Sequence, residues 1–141
     1  MDRSSSEKRI DWVVRIAVAI ILGQTLFFKF SGAPESIYIF TTMGIEPWGR
    51  YASGVAELIA CVLILIPDKP LLTVLGALLS LGVITGALMS HLTKLGLTIP
   101  DGMGGDDGGL LFALACAVFI GSLWILWAHR SDIPLIGERF H

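Results

Sequence analysis

Long apolar stretches, broken by a few charged residues, organise this chain. No Asp, Glu, Lys or Arg falls between Lys69 and Lys94, or between Asp107 and Arg130. Each interval meets the roughly 20 residues that a helix needs to cross a bilayer core. Trp12–Phe28 is apolar apart from Arg15, Gln24 and Thr25; Arg15 sits one turn inside and is expected to snorkel to the headgroups. Pro47–Ile66 is interrupted only by Arg50, near its start, and by Glu57. The pattern predicts an all-α polytopic membrane protein: one domain, 1–141, with transmembrane helices over 12–29, 47–66, 71–93 and 109–128. The first stretch has no small-residue cleavage site after it and runs into Lys29-Phe30, so it reads as a retained anchor rather than a signal peptide.

The links differ in character. Pro67-Asp68-Lys69-Pro70 reads as a tight turn, because each proline fixes φ and withholds a donor. Ser31–Glu46 and Lys94–Gly108 are long. The first contains Pro34–Phe40, closed by Gly44, which predicts a short interfacial helix with proline in its first turn. The second is a glycine-rich acidic loop without a Walker lysine or EF-hand spacing, so phosphate and calcium readings are rejected. Arg3, Lys8, Arg9, Arg15, Lys69, Arg130 and Arg139 gather at one end of the helices, against Lys29, Arg50 and Lys94 at the other. This bias places both termini in the cytoplasm and the long loops outside, in a cell membrane that in a bacterium is the inner one.

Composition excludes several classes. Hydrophobic residues make up 54 % and charged ones 16 %, too few charges for a soluble enzyme. A formal net charge of −2, with no basic stripe, excludes a nucleic-acid partner. Cys61 and Cys116 lie inside apolar runs and form no C-x-x-C, so they read as small membrane-buried hydrophobes. Gly82 with Gly86, and Ala113, Ala117 and Gly121, recur at four-residue spacing and are expected to let helices approach closely.

Because the helices alternate in direction, the polar residues converge on the outer half of the bundle. Glu57 lies about 9–15 Å below the outer end of its helix. Lys29, with Gln24 a turn deeper, His91, and Asp106 and Asp107 arrive at the same level, while the inner half offers little beyond Ser80 and Thr73. A carboxylate at that depth costs about 2.5–3.5 kcal/mol unless protonated or paired. Lys29, His91 and Arg50, the last at i, i+7, are the candidate partners. Glu57 and His91 are the candidate catalytic residues, and Lys29, Gln24, Arg50, Asp106 and Asp107 the candidate ligand-binding ones. No metal is predicted, since no local spacing supports one. Nor is haem, because His129 and His141 fall on the cytoplasmic side, away from His91.

Several blocks resemble DoxX-like membrane proteins. Lys29-Phe30-Ser31-Gly32-x-Pro34-Glu35-Ser36 is similar to the family's K-F-x-G-x-P-E-S segment. Gly44-Ile45-Glu46-Pro47-Trp48-Gly49-Arg50 through Gly54-Val55-Ala56-Glu57-Leu58-Ile59-Ala60 resembles its next block. Gly86-Ala87 through Ser90-His91-Leu92-Thr93, then Asp106 to Phe112, completes a likeness over about 12–128. The resemblance implies a four-helix membrane bundle. It also points two ways in function: the family's name comes from a subunit of a thiosulfate:quinone oxidoreductase, and distant eukaryotic relatives look like assembly factors.

Two readings follow. In one, the chain is a quinone-linked subunit of a membrane oxidoreductase system. Lys29, His91 or Gln24 would donate hydrogen bonds to the quinone and Glu57 would carry protons. Electrons would come from a partner, since the chain offers no dithiol, flavin motif or haem pair. In the other, it is a non-catalytic scaffold or assembly factor that binds another membrane protein or dimerises through its glycine rows, or else a binder of lipid or small molecules.

Overall fold

The computed structural model describes residues 5–100 and 103–132. Arg3, Arg139 and His141, which entered the charge and histidine arguments above, lie outside the described residues.

Helix α1, Ser5–Ser31, ends where Gly32 takes a left-handed conformation; α2, Pro34–Thr42, follows at once with proline in its first turn. Helix α3 is Trp48–Leu65, stopped by Pro67, and α4 is Pro70–Ser90. A π turn over His91–Leu95 carries the end of α4 into the glycine-rich loop. Helix α5 is Leu110–Ala128, followed by a 3-10 turn at Arg130–Asp132. Four of these helices are long and apolar enough to cross a membrane, and among the described residues there is no strand. Such helices satisfy their backbone groups internally, which the hydrocarbon interior demands.

The four long helices close in the order α1–α3–α4–α5, with α5 returning to α1. Their shared core contains Val18 and Leu22 from α1, Ala60 and Ile64 from α3, Ala77 and Ile84 from α4, and Val118 and Ile125 from α5. Buried polar contacts cross it: the Ser80 and Ser122 hydroxyls lie 2.9 Å apart and join α4 to α5, and the Cys61 thiol donates to the Ala19 carbonyl at 3.6 Å, joining α3 to α1. Helix α2 lies over the end of the bundle that carries the two long connections. The tight Pro67–Pro70 turn marks the opposite end.

Two expectations about packing change. Helix α1 begins seven residues earlier than the apolar run does, because Asp11 turns inward and is buried rather than marking the membrane edge. Of the two expected rows of small residues, only the one ending in Gly121 makes a close helix approach, and Gly76, outside both rows, makes another. A Cβ on Gly82 or Gly86 would meet nothing within 4 Å. By contrast, one on Gly76 would lie 2.8 Å from Leu63 Cβ and 2.9 Å from the Ile64 nitrogen, and one on Gly121 2.6 Å from Val18 Cγ2. Spacing finds a row of small residues but not the face it is on. Gly76→Ala is therefore expected to cost about 1–3 kcal/mol by overpacking the α3–α4 contact, whereas Gly82→Ala leaves stability unchanged or slightly raised. Detergent unfolding of the two variants side by side checks this contrast.

Candidate functional site

The polar residues near the long-connection end meet around one side chain. Glu57, buried on α3, faces α1, where the Lys29 ammonium forms an ion pair with its Oε1. Thr25 donates to Oε2 at 2.9 Å. Lys29 also donates to the Ser53 hydroxyl at 2.8 Å. The geometry follows from helical periodicity: Thr25 and Lys29 are four apart on α1, as are Ser53 and Glu57 on α3, so each pair shares a face and the faces meet. Lys29 keeps one ammonium hydrogen beyond these two bonds.

This knot forms part of the wall of a cavity of about 620 Å³ between the helices, roofed by α2. The wall is mostly apolar. Its polar members include Gln24, Thr25, Lys29, Ser53, Glu57 and His91, and Trp48 and Phe40 stand in the same wall. Gly82 and Gly86 line it too, so the small residues of α4 leave space there instead of drawing helices together. His91 is 4 % exposed; its Nδ1 lies 2.8 Å from the Gly96 carbonyl, and its ring meets the edge of Phe112 at 5.5 Å.

Other residues singled out in the sequence go elsewhere. Arg50 does not reach Glu57. Its Nε bonds both carboxylate oxygens of Glu46, one turn back, at 2.9 and 3.0 Å, and it donates to the Lys29 carbonyl. The nearer carboxylate takes the cation. Asp106 is exposed and accepts the Gly108 N–H at 2.8 Å. Asp107 accepts from Ile99, Gly109 and Leu111 at 2.9–3.0 Å, closing the loop and capping α5. Neither aspartate lines the cavity. Among the described residues, no three His, Cys, Asp or Glu side chains stand close enough to hold a metal ion.

Burial alone would raise the Asp107 carboxyl, but the N–H groups of Ile99, Leu111 and Gly109 outweigh it, and the nearby His91 adds in the same direction. The carboxyl is held below its ordinary 3.8. A depressed pKa stabilises the fold above the unfolded value and loses that contribution as pH falls through the folded one. The stability difference between wild type and Asp107→Ala is thus expected to stay constant above about pH 5 and to shrink below the ordinary carboxylate value. Unfolding curves at pH 3 and pH 7 measure it.

A second polar cluster, at the tight-turn end, escaped the sequence reading. Arg15 does not snorkel; it is 4 % exposed. Its guanidinium donates to the Ile64 carbonyl at 2.8 Å, the Ile66 carbonyl at 2.9 Å and Thr73 at 3.1 Å, and pairs with Asp11 at 3.2 Å. Trp12 stacks on it at 3.9 Å. His129 Nε2 meets the same Asp11 at 3.1 Å. Arg15 thereby caps the end of α3 from a neighbouring helix, and Asp11 ties in the end of α5. The half of the bundle toward the tight turn, expected to be nearly apolar, is polar at its core. The Asp11–Arg15 spacing of four was its one signal in the sequence.

Four membrane-length helices enclosing an apolar cavity with a buried ion pair in its wall define a polytopic membrane protein of the four-helix class. A family model described as the DoxX-like family matches residues 13–100, and the protein belongs to that family. The matched stretch holds Lys29, Glu57 and His91 and stops before α5, short of the likeness to residue 128 expected from sequence. Searches of curated proteins and of solved structures each return no match.

Proposed function

We propose that the chain is the quinone-binding subunit of a membrane oxidoreductase system, with the ring of a lipid-soluble quinone seated in the cavity. The observation that carries this reading is the cavity itself. Its volume of about 620 Å³ lies within the ~300–1,000 Å³ of small-molecule sites, and apolar walls with a few convergent polar groups are their usual chemistry. The residues fit such a guest: the spare Lys29 hydrogen suits a carbonyl oxygen, and the apolar wall suits a ring and the start of a prenyl tail. A bound quinone would supply two-electron, two-proton chemistry. The chain's own part is to orient the ring, exclude water, and hold a proton-exchanging pair, Lys29 and Glu57, beside it. Electrons come from a partner protein. Both termini face the cytoplasm in this proposal, since Lys and Arg favour that end; reporter fusions at the C-terminus and in the glycine-rich loop test the orientation.

Trp48 in the cavity wall provides the binding assay. Titration with a short-chain benzoquinone is expected to quench fluorescence saturably. The response should vanish in Trp48→Phe, which removes the reporter, and in Gly86→Phe, which fills the cavity. Quenching that does not saturate, or is unchanged by Gly86→Phe, would move the function to the protein's surface, as a scaffold for another membrane protein.

A further inference from the structure

We infer that the cavity recognises a hydroxyl group on its ligand through Nε2 of His91, and that Gly96 is the residue that arranges this. The inference rests on the cavity being a ligand site, and it specifies the chemistry of the ligand: a neutral amphiphile with a phenol-type O–H.

The argument begins with the chain path. At the end of α4 the backbone widens into the π turn, and Gly96 follows with φ 77° and ψ −173°. That left-handed φ suits glycine and strains other residues. In this conformation Gly96 meets His91 twice: its N–H donates to the His91 carbonyl at 2.8 Å, and its carbonyl lies 2.8 Å from His91 Nδ1. A carbonyl can only accept, so Nδ1 carries the hydrogen. In the neutral ring Nε2 is then a bare acceptor. Phe112 holds the ring from the side, 5.5 Å away and at 69°. Among the described residues no protein group bonds Nε2, although His91 is nearly wholly buried and stands in the cavity wall. His91 thus stands in a mostly apolar wall with this acceptor unused, and a ligand hydroxyl supplies the partner.

Lys29 and His91 therefore offer opposite halves of hydrogen bonds. Lys29 donates, and His91 accepts. A ligand with hydroxyl groups serves both, since a hydroxyl oxygen can also accept from Lys29. A dione serves only Lys29. For a quinone guest the arrangement favours the reduced, dihydroxy form.

The test uses probes that are not quinones, so that it stands apart from the redox reading. Binding of 4-hexylphenol and of its methyl ether, 4-hexylanisole, is measured at pH 8 by Trp48 fluorescence. The phenol is expected to bind about tenfold more tightly in wild type, and His91→Phe should bring the two probes to equal affinity. Gly96→Ala should shrink the difference as well. If that variant does not fold, ¹⁵N NMR of histidine-labelled wild type reads the tautomer directly, with His91 assigned by its loss in His91→Phe. Nδ1 is expected to be protonated and Nε2 bare, with the Nε2 resonance alone moving when phenol is added. Equal affinities in wild type, no binding of either probe, a preference that survives His91→Phe, or hydrogen on Nε2 would each overturn the inference. Preference for the phenol without any binding of benzoquinone would uphold the inference and reject the quinone.

Discussion

Glu57→Leu, with Lys29 left in place, is expected to destabilise the bundle by about 3–5 kcal/mol, because it strands a buried cation rather than merely deleting a contact. Lys29 is 14 % exposed and, without the carboxylate, keeps among the described residues only the Ser53 hydroxyl as a side-chain hydrogen-bond acceptor, with the Phe40 ring 5.8 Å away. Thr25 loses its side-chain acceptor at the same time. The double variant Lys29→Met with Glu57→Leu should recover most of the loss, since exchanging a whole buried ion pair for apolar side chains is often neutral. Unfolding by sodium dodecyl sulfate in mixed micelles, run as a double-mutant cycle, gives the coupling directly. The recovered double variant would be a folded protein with an apolar cavity wall. A pair this replaceable for stability, yet placed in a cavity wall, is what a ligand-facing role predicts.

Arg15→Met is expected to cost a similar amount, about 3–5 kcal/mol, for a different reason. The substitution leaves the Ile64 and Ile66 carbonyls, the Thr73 hydroxyl and the Asp11 carboxylate without their common donor. Arg15→Lys should fall between wild type and Arg15→Met, because a single ammonium keeps the charge but cannot span several acceptors as the planar guanidinium does. The two clusters are at opposite ends of the bundle, so probe affinity in the folded fraction should be unchanged in Arg15→Lys. Comparing SDS unfolding with Trp48 titration on this variant separates the clusters: the tight-turn end holds helices together, and the long-connection end holds the cavity.

The four spans are legible because hydrocarbon leaves so few alternatives, and the absence of charge over Pro70–Thr93 can mean little else. The short α2 is legible for the same kind of reason, since proline starts it and glycine ends it. Convergence of Lys29, Gln24, Glu57 and His91 on one cavity follows from alternating helix direction, which the sequence encodes once the spans are known. Partner choice does not follow. Arg50 is seven residues from Glu57 and four from Glu46, and the local carboxylate takes it. Asp106 and Asp107 look like ligands because they are acidic and near the bundle, but their neighbours' N–H groups use them to build the loop. Arg15 looks like a snorkelling residue when its helix is read alone; its partners lie on α3 and α4, and Asp11 is linked to His129 near the far end of the described chain. The cavity itself is invisible in sequence, because Gly82 and Gly86 have the spacing of a helix contact and only the fold shows them facing empty space.

The most direct test is mass spectrometry of what co-purifies with the protein in mild detergent, on wild type, Gly86→Phe and the Lys29→Met with Glu57→Leu double variant. Near-stoichiometric quinone in wild type and its absence from both folded variants is the expected result. Well-folded wild type that carries only bulk phospholipid, or quinone carried equally by all three, would contradict a quinone site at the Lys29–Glu57 cavity.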